Sequence, residues 1–332
     1  MANLKSSNMG VTLFSFTNEY VSRKLSFEEI VRKVAEMNLG PGLEVIGFQS
    51  IREFPDVSDN FVCYFKSLTQ ELNLTPTSLA INSDRYLKRG QAIPNDALMT
   101  YHKRQIESAS KLGFPIVRFQ YSMPIEMLPE LADYSEKMNV KMGLEVHAPL
   151  FANHPIVLKF LEAYDKINSD ALGLIPDFGG TATRIPASLL ESARIKGVPE
   201  PLIVMAVDHW HETGSPPEKV QKLRDYAIRE GFKEEHIQTI SMPFFMITNN
   251  NPLSWRYVVD KTIHIHGKFY RITDEGDDEA IDYQKIIPLF RDAGYSGTFS
   301  SEYEGHGYCN IDAFDQVKKH QIMCSNLFSQ TR

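Results

Sequence analysis

Cysteine is scarce in this chain. Three residues in 332, Cys63, Cys309 and Cys324, are widely spaced and odd in number. That excludes a disulfide framework and a CxxC motif, and it predicts a reducing compartment. No run of about 18 apolar residues occurs, so no membrane-spanning helix is expected. The first ten residues, "MANLKSSNMG", hold no apolar stretch of the kind that directs secretion. Basic residues (35) do not outnumber acidic ones (42), the net charge is −7, and no dense Lys/Arg block is present. Nucleic acid and membrane surfaces are therefore not the expected partners. The first strand is followed by "SFTNEY" rather than a glycine-rich turn, so a doubly wound dinucleotide-binding sheet lacks its usual signature. These absences leave a soluble cytoplasmic protein.

What is present is a rhythm. Short apolar runs alternate with helical patterns: "VTLFSFT" (11–17), "GLEVIGF" (42–48), "LTPTSLAIN" (74–82), "PIVRFQY" (115–121), "VKMGLEVHA" (140–148), "LGLIPDFG" (172–179), "KTIHIHGKFYRI" (261–272) and "GTFSSEYEG" (297–305). Ser26 and Glu29 form a capping-box pattern, and Gly113 is a helix-terminating glycine. Eight strands, each followed by helical sequence, predict a (β/α)8 barrel spanning 1–332 as one domain. An open parallel sheet is the alternative. One connection breaks the rhythm. Residues 180–260 separate strands six and seven, where a helix and two loops take roughly 20 to 30 residues. This segment reads as an insertion on the C-terminal rim, with helical stretches in "PASLLESARIKG" and "PEKVQKLRDYAIREG".

In such a barrel, chemistry sits at the C-terminal strand ends. Strand five ends with Glu145 and His147, strand six with Asp177, strand seven carries His264 and His266, and strand eight carries Glu302 and Glu304. Residues two apart in a strand share a face. Four adjacent strands thus bring carboxylates and imidazoles to one height. An oxygen-rich, thiolate-free set suits Mn²⁺, Mg²⁺ or Co²⁺ rather than structural zinc. On strand four, Arg118 and Gln120 share a face and either bind sugar hydroxyls or form a buried ion pair. Lys268, Tyr270 and Arg271 follow strand seven as candidate phosphate contacts. His209 and His211 are read in a solvated loop, and Phe244, Phe245 and Trp255 as insertion packing or an aromatic stacking surface.

The motifs "GLEVH", "PDFGG", "HIHGK" and "SSEYEG", in that order, resemble the xylose-isomerase-like (sugar phosphate isomerase/epimerase) barrel superfamily. The resemblance implies one divalent ion held by Glu145, Asp177, His266 and Glu302, with His264 lining the pocket below. Glu145 and Glu302 would double as bases. The endonuclease IV branch carries further histidines where this chain reads "GFQS" and "INSD", and ketose epimerases carry one where it has Gly180. "EVHAP", "VDHWHETG", "IHIHGKFYRI" and "SSEYEGHGY" are similar to the α subunits of bacterial C-glycoside deglycosidases. That similarity implies a lyase on 3-oxo-C-glucosides of flavonoids. It would use Mn²⁺ foremost (Mg²⁺ or Co²⁺ otherwise), consume no NAD and pair with a small β subunit. His147 would be the base at C2. His306, Glu304 or a residue of the insertion would be the acid. Arg118, Gln120, His264, Lys268 and Glu304 would contact the substrate. The alternatives are a metal-dependent sugar isomerase or epimerase, and a sugar-binding barrel without chemistry.

Overall fold

A computed structural model describes residues 8–86 and 90–330. The N-terminal residues 1–7, part of the stretch read above as lacking a secretion signal, lie outside the described residues. Eight parallel strands form one sheet: β1 Met9–Thr12, β2 Gly42–Ile46, β3 Thr75–Ala80, β4 Ile116–Phe119, β5 Lys141–Val146, β6 Leu172–Pro176, β7 His264–Phe269 and β8 Thr298–Tyr303. Neighbours run β6-β5-β4-β3-β2-β1-β8-β7. Parallel bridges Leu174↔Thr262 and Asp177↔His266 then join β6 to β7 and close the ring. This is the predicted (β/α)8 barrel. Its strands are short and almost wholly buried, as expected where helices cover one face and packed side chains fill the other.

The strands are shorter than their apolar runs. β1 stops at Thr12, whose side chain accepts from the Phe14 amide and starts a turn of 3₁₀ helix over Leu13–Phe16. β5 stops at Val146, so His147 lies past the strand and its direction is set by the turn, not by the pleat. The Ser26/Glu29 capping box is formed, and Gly113 ends the helix Asn95–Leu112 at φ +89°, where a side chain would be strained.

Between β6 and β7 the chain forms helices Ala187–Ile195, Glu200–His211, Pro216–Arg229 and Glu234–Ser241, followed by short turns up to Lys261. The sequence reading placed His209 and His211 in a loop. They belong instead to the last turn of Glu200–His211, where Leu202, Ile203, Ala206 and Trp210 form a buried stripe at helical spacing. The segment is tied down at its start and end. Glu279 accepts from the Ser188 amide and from Arg271, Arg271 also pairs with Glu191, and Trp255 Nε1 donates to Thr181 Oγ1 at 2.8 Å. Phe244 and Trp255 are buried packing, whereas Phe245 is 44% exposed.

The closing helix Ala313–Ser329 seals β7 and β8 from outside. Its His320 is fully buried and stacks on Phe269 at 4.1 Å. The ring nitrogens lie 2.9 Å from Ser301 Oγ and 2.8 Å from Tyr283 Oη. Gly267, between His266 and Lys268 on β7, leaves no room for a side chain: a Cβ there would clash with the Phe299 ring and touch the His320 ring. Burial pushes His320 down to about 3. An unfolded imidazole titrates near ~6.5, so between these values the unfolded chain binds the extra proton. Stability conferred by the neutral ring is complete above the unfolded value and is lost as pH falls, by ~1.4 kcal/mol per pH unit. Urea unfolding of wild type and His320→Gln should therefore show a stability gap that is widest near neutrality and shrinks in acid. A gap independent of pH would contradict this assignment.

Candidate metal centre

Register brings the ligand candidates together. Glu145 precedes the end of β5, Asp177 follows β6 directly, and the bridge Asp177↔His266 sets the two side by side at the closing seam. Glu302 on β8 pairs with Lys268 on β7. Glu145, Asp177, His266 and Glu302 are all buried and place one ligand atom each within 4.8 Å of one another. His266 Nδ1 lies 2.9 Å from Glu145 Oε1 and 3.3 Å from Glu302 Oε2.

Asp177 and Glu145 are each anchored through one oxygen. Asp177 Oδ1 accepts from the Gly179 amide at 2.8 Å, which caps the 3₁₀ turn Phe178–Thr181. Glu145 Oε2 accepts from Gln120 Nε2 at 3.0 Å and pairs with Arg118 at 3.3 Å. Arg118 and Gln120 thus anchor a ligand candidate. Asp177 Oδ2 and Glu302 Oε2 are buried and have no hydrogen-bond partner. The Lys268 ammonium lies 3.4 Å from both, within ion-pair range but without a hydrogen bond, which leaves lone pairs on these buried oxygens that a divalent cation would suit. Three carboxylates and one imidazole make a hard donor set, so the residues fit a divalent ion such as Mn²⁺ or Mg²⁺.

The charges around the cluster agree. Burial works against ionised Glu302, yet Lys268 and His266 hold it down to about 2. Burial is opposed in the same way at Glu145, where Arg118 and His266 hold the carboxyl well below its usual range. Asp177 is pushed up to about 6 by burial, with the Glu302 charge adding to the rise and Lys268 opposing it. Burial disfavours a charged His266, but Glu44 and Glu302 raise it well above an ordinary imidazole. A proton on His266 Nδ1 therefore occupies the side on which an ion would bind, and ion binding competes with it.

The remaining predicted residues divide by position. His147 is partly open, with Nδ1 2.5 Å from the Ala148 carbonyl and Nε2 3.8 Å from Asp177 Oδ2. A carbonyl only accepts, so Nδ1 carries a hydrogen, and Nε2 is the ring nitrogen that faces the cluster; in the neutral tautomer it bears the lone pair. Lys268 is buried. Its Nζ donates to Glu304 Oε2 at 2.7 Å and lies 3.4 Å from both Asp177 Oδ2 and Glu302 Oε2. Phe14 sits under this ammonium at 5.1 Å and meets the His306 ring edge-on at 5.0 Å. His306 is thus separated from Lys268 by an aromatic ring, and its Nδ1 lies 2.7 Å from the Tyr303 carbonyl. Arg271 is committed to Glu191 and Glu279, and Tyr270 is buried. His264 is fully buried two residues deeper on β7, with Nε2 2.9 Å from Glu44 Oε2.

Glu44 and Phe14 were missed. Glu44 carried a visible signal: "GLEV" occurs at 42–45 and again at 143–146, so the second strand repeats the tetrapeptide that supplies Glu145. Phe14 had none, because it reads as one more apolar residue of a strand.

The chain is 33% identical to the 3'-dehydrocarminate deglycosidase alpha subunit of Microbacterium sp., over 97% of this chain and 96% of that one. It is 36% identical to a C-glycoside deglycosidase alpha subunit of Arthrobacter globiformis, over 97% of this chain and 91% of the relative. Among solved structures, a xylose isomerase-like TIM barrel protein from Mycobacterium smegmatis in complex with magnesium matches with a TM-score of 0.57 at 13% identity, covering 99% of both chains. D-psicose 3-epimerase with D-tagatose from Clostridium cellulolyticum H10 matches with a TM-score of 0.55 at 11% identity, covering 96% of each. These two share the fold. No protein-family model matches the chain.

Proposed function

Since the chain belongs to the family of C-glycoside deglycosidase α subunits, we propose that it is the catalytic subunit of a carbon–carbon lyase acting on 3-oxo-C-glucosides of flavonoids or related aromatic aglycones. A C–C glycosidic bond has no leaving oxygen to protonate, so two-carboxylate hydrolysis does not apply. A ketone at C3 makes the C2 proton acidic, and the chemistry can begin there.

The observation that carries this reading is the placement of His147: partly exposed, with Nε2 facing a buried cluster of four potential ligand atoms at 3.8 Å from Asp177 Oδ2. Glu145, Asp177, His266 and Glu302 would hold the divalent ion, most simply Mn²⁺, with Mg²⁺ or Co²⁺ as substitutes. When bound, the ion polarises the ketone oxygen and lowers the cost of negative charge there. His147 Nε2 takes the C2 proton. The electron pair released at C2 becomes the C1=C2 double bond as the bond from C1 to the aglycone breaks, and the aglycone carbon takes up a proton. Glu304, held by Lys268, and His306 are the candidate donors of that proton. Arg118 and Gln120 keep Glu145 in place, and burial of the cluster excludes bulk water. No nicotinamide is consumed, because oxidation at C3 precedes this step. The relatives are named alpha subunits, so a small partner chain is part of the proposal, as is a cytoplasmic location. No helix among the described residues is long and apolar enough to cross a membrane.

The test is incubation of the Mn²⁺-loaded chain, with and without the small partner, with the 3-oxo form of a flavonoid C-glucoside and separately with D-fructose. Release of free aglycone, dependent on the ion and increased by the partner, is the expected result. Epimerisation of the free ketose by the chain alone, without aglycone release, would favour an isomerase instead.

A further inference from the structure

Glu44 lies on β2, across the barrel from the seam where β6 and β7 meet, and it is fully buried. One oxygen, Oε2, faces two imidazoles: His264 Nε2 at 2.9 Å and His266 Nε2 at 3.0 Å. A carboxylate only accepts, so both Nε2 atoms carry hydrogen. For His266 this settles the orientation. With Nε2–H pointing to Glu44, the other ring nitrogen, Nδ1, faces Glu145 Oε1 and Glu302 Oε2. By the same rule Nδ1 carries a hydrogen in the metal-free protein; because Glu44 keeps the hydrogen on Nε2, Nδ1 is the ring atom that would give up its hydrogen and turn a lone pair to an ion.

We infer that Glu44 is the positioning residue of the centre: it grips His266 by Nε2–H so that Nδ1 is presented to the ion, while His264 holds Glu44 by a second hydrogen bond. This rests on the reading of Glu145, Asp177, His266 and Glu302 as a metal site. Histidine ligands elsewhere are oriented by an outer carboxylate in the same way, and removing that partner weakens metal binding. The arrangement accounts for Glu44 Oε2 and His264 Nε2, while Glu44 Oε1 and His264 Nδ1 stay buried without a hydrogen-bond partner among the described residues. Glu44 and His264 contribute no atom to the open side of the cluster. Placing a carboxylate this deep is unfavourable unless hydrogen-bond donors meet it.

The same three residues have a second geometric reading. Glu44, His264 and His266 also place one ligand atom each within 4.8 Å of one another, and could hold an ion of their own. Filling both groups would require His266 to bind through both ring nitrogens as an imidazolate, with no hydrogen left for Glu44. A hydrogen-bonded Glu44 needs no such deprotonation, so the positioning role is the simpler chemistry.

Three measurements decide the matter. Calorimetric titration of the metal-free protein with Mn²⁺ should show one site per chain. Glu44→Ala should weaken that affinity by about 10- to 100-fold, and Glu44→Gln, which keeps an acceptor oxygen, by less. In the Mg²⁺-loaded protein, ring ¹⁵N shifts should show His266 protonated at Nε2 and not at Nδ1, in wild type and in Glu44→Gln. If Glu44→Ala does not fold, the affinity of Glu44→Gln and the wild-type ring shifts still discriminate. Unchanged Mn²⁺ affinity in the variants, an unprotonated Nε2 on His266, or two tightly bound ions per chain would each overturn the inference. A wild type that binds no divalent ion would instead defeat the metal reading itself, and this inference with it.

Discussion

Asp177→Asn abolishes Mn²⁺ binding and lowers kcat/KM for the 3-oxo-glucoside by on the order of 10³ or more, with the fold intact. The magnitude follows from the ion's role: Lewis-acid stabilisation contributes several kcal/mol, and each ~1.4 kcal/mol is tenfold in rate. The specificity follows from how the two carboxylate oxygens are used. Oδ1 accepts from the Gly179 amide and caps the turn after β6, and an asparagine carbonyl keeps that bond. Oδ2 has no hydrogen-bond partner and stands 3.4 Å from Lys268 Nζ. In the variant this atom becomes an amide donor, which repels both an ion and the ammonium. The cost to the metal-free fold is small, because burial already disfavours the charge on Asp177 and pushes it up to about 6. Lys268 also retains Glu304 at 2.7 Å. Thermal melts of the metal-free proteins should therefore nearly coincide, while Mn²⁺ should raise the melting temperature of wild type alone. A variant that still binds Mn²⁺ and turns over would show that the ligand set is wrong. Asp177→Ala is the less informative change, since it removes the cap together with the ligand.

The barrel was legible because a parallel barrel writes each strand as an apolar run bounded by polar rim residues, and eight such runs are hard to obtain otherwise. The candidate ligands were legible because a carboxylate in "GLEVH" or "SSEYEG" contradicts its apolar surroundings. The same logic applied to "GLEVIGF", yet Glu44 lies at the second strand with no second polar residue to mark it. Its role depends on His264 and His266, more than 200 positions away in sequence and brought near only by closure of the ring. Local pattern cannot report such a contact. His147 shows the opposite error. Its pairing with Glu145 was argued from strand alternation, but β5 ends at Val146. It reaches the cluster because Nδ1 is anchored on the Ala148 carbonyl, which aims the ring at Asp177. The helix Glu200–His211 was missed because "VDHWHETG" looks polar when read alone; its apolar stripe begins further upstream, at Leu202 and Ile203.

His147→Asn leaves Mn²⁺ affinity near that of wild type and lowers turnover by about 10²- to 10⁴-fold, the usual contribution of a positioned general base. Two roles compete for this residue, and metal affinity separates them. If His147 only steadied Asp177 as a ligand, its loss would weaken ion binding by about 10- to 100-fold. The geometry favours the base. Its Nε2 is 3.8 Å from Asp177 Oδ2, beyond a hydrogen bond, and Asp177 is already fixed through Oδ1. Alone among these residues His147 is partly open; Glu145, Asp177, His266 and Glu302 are closed over by the barrel. A buried ligand carboxylate, with one oxygen engaged by a neighbour and the other turned to the ion, is poorly placed to accept a carbon-bound proton. Deuterium exchange at C2 gives the direct readout. In D₂O the wild type should wash deuterium into C2 of a 3-oxo-glucoside, even one whose aglycone leaves poorly, and His147→Asn should not. Exchange at the wild-type rate in the variant would move the base to Glu145 or Glu302. The same exchange measured in Glu304→Gln tests the other end of the reaction: an acid for the departing aglycone affects release and spares exchange, so the two proton transfers can be assigned to separate side chains.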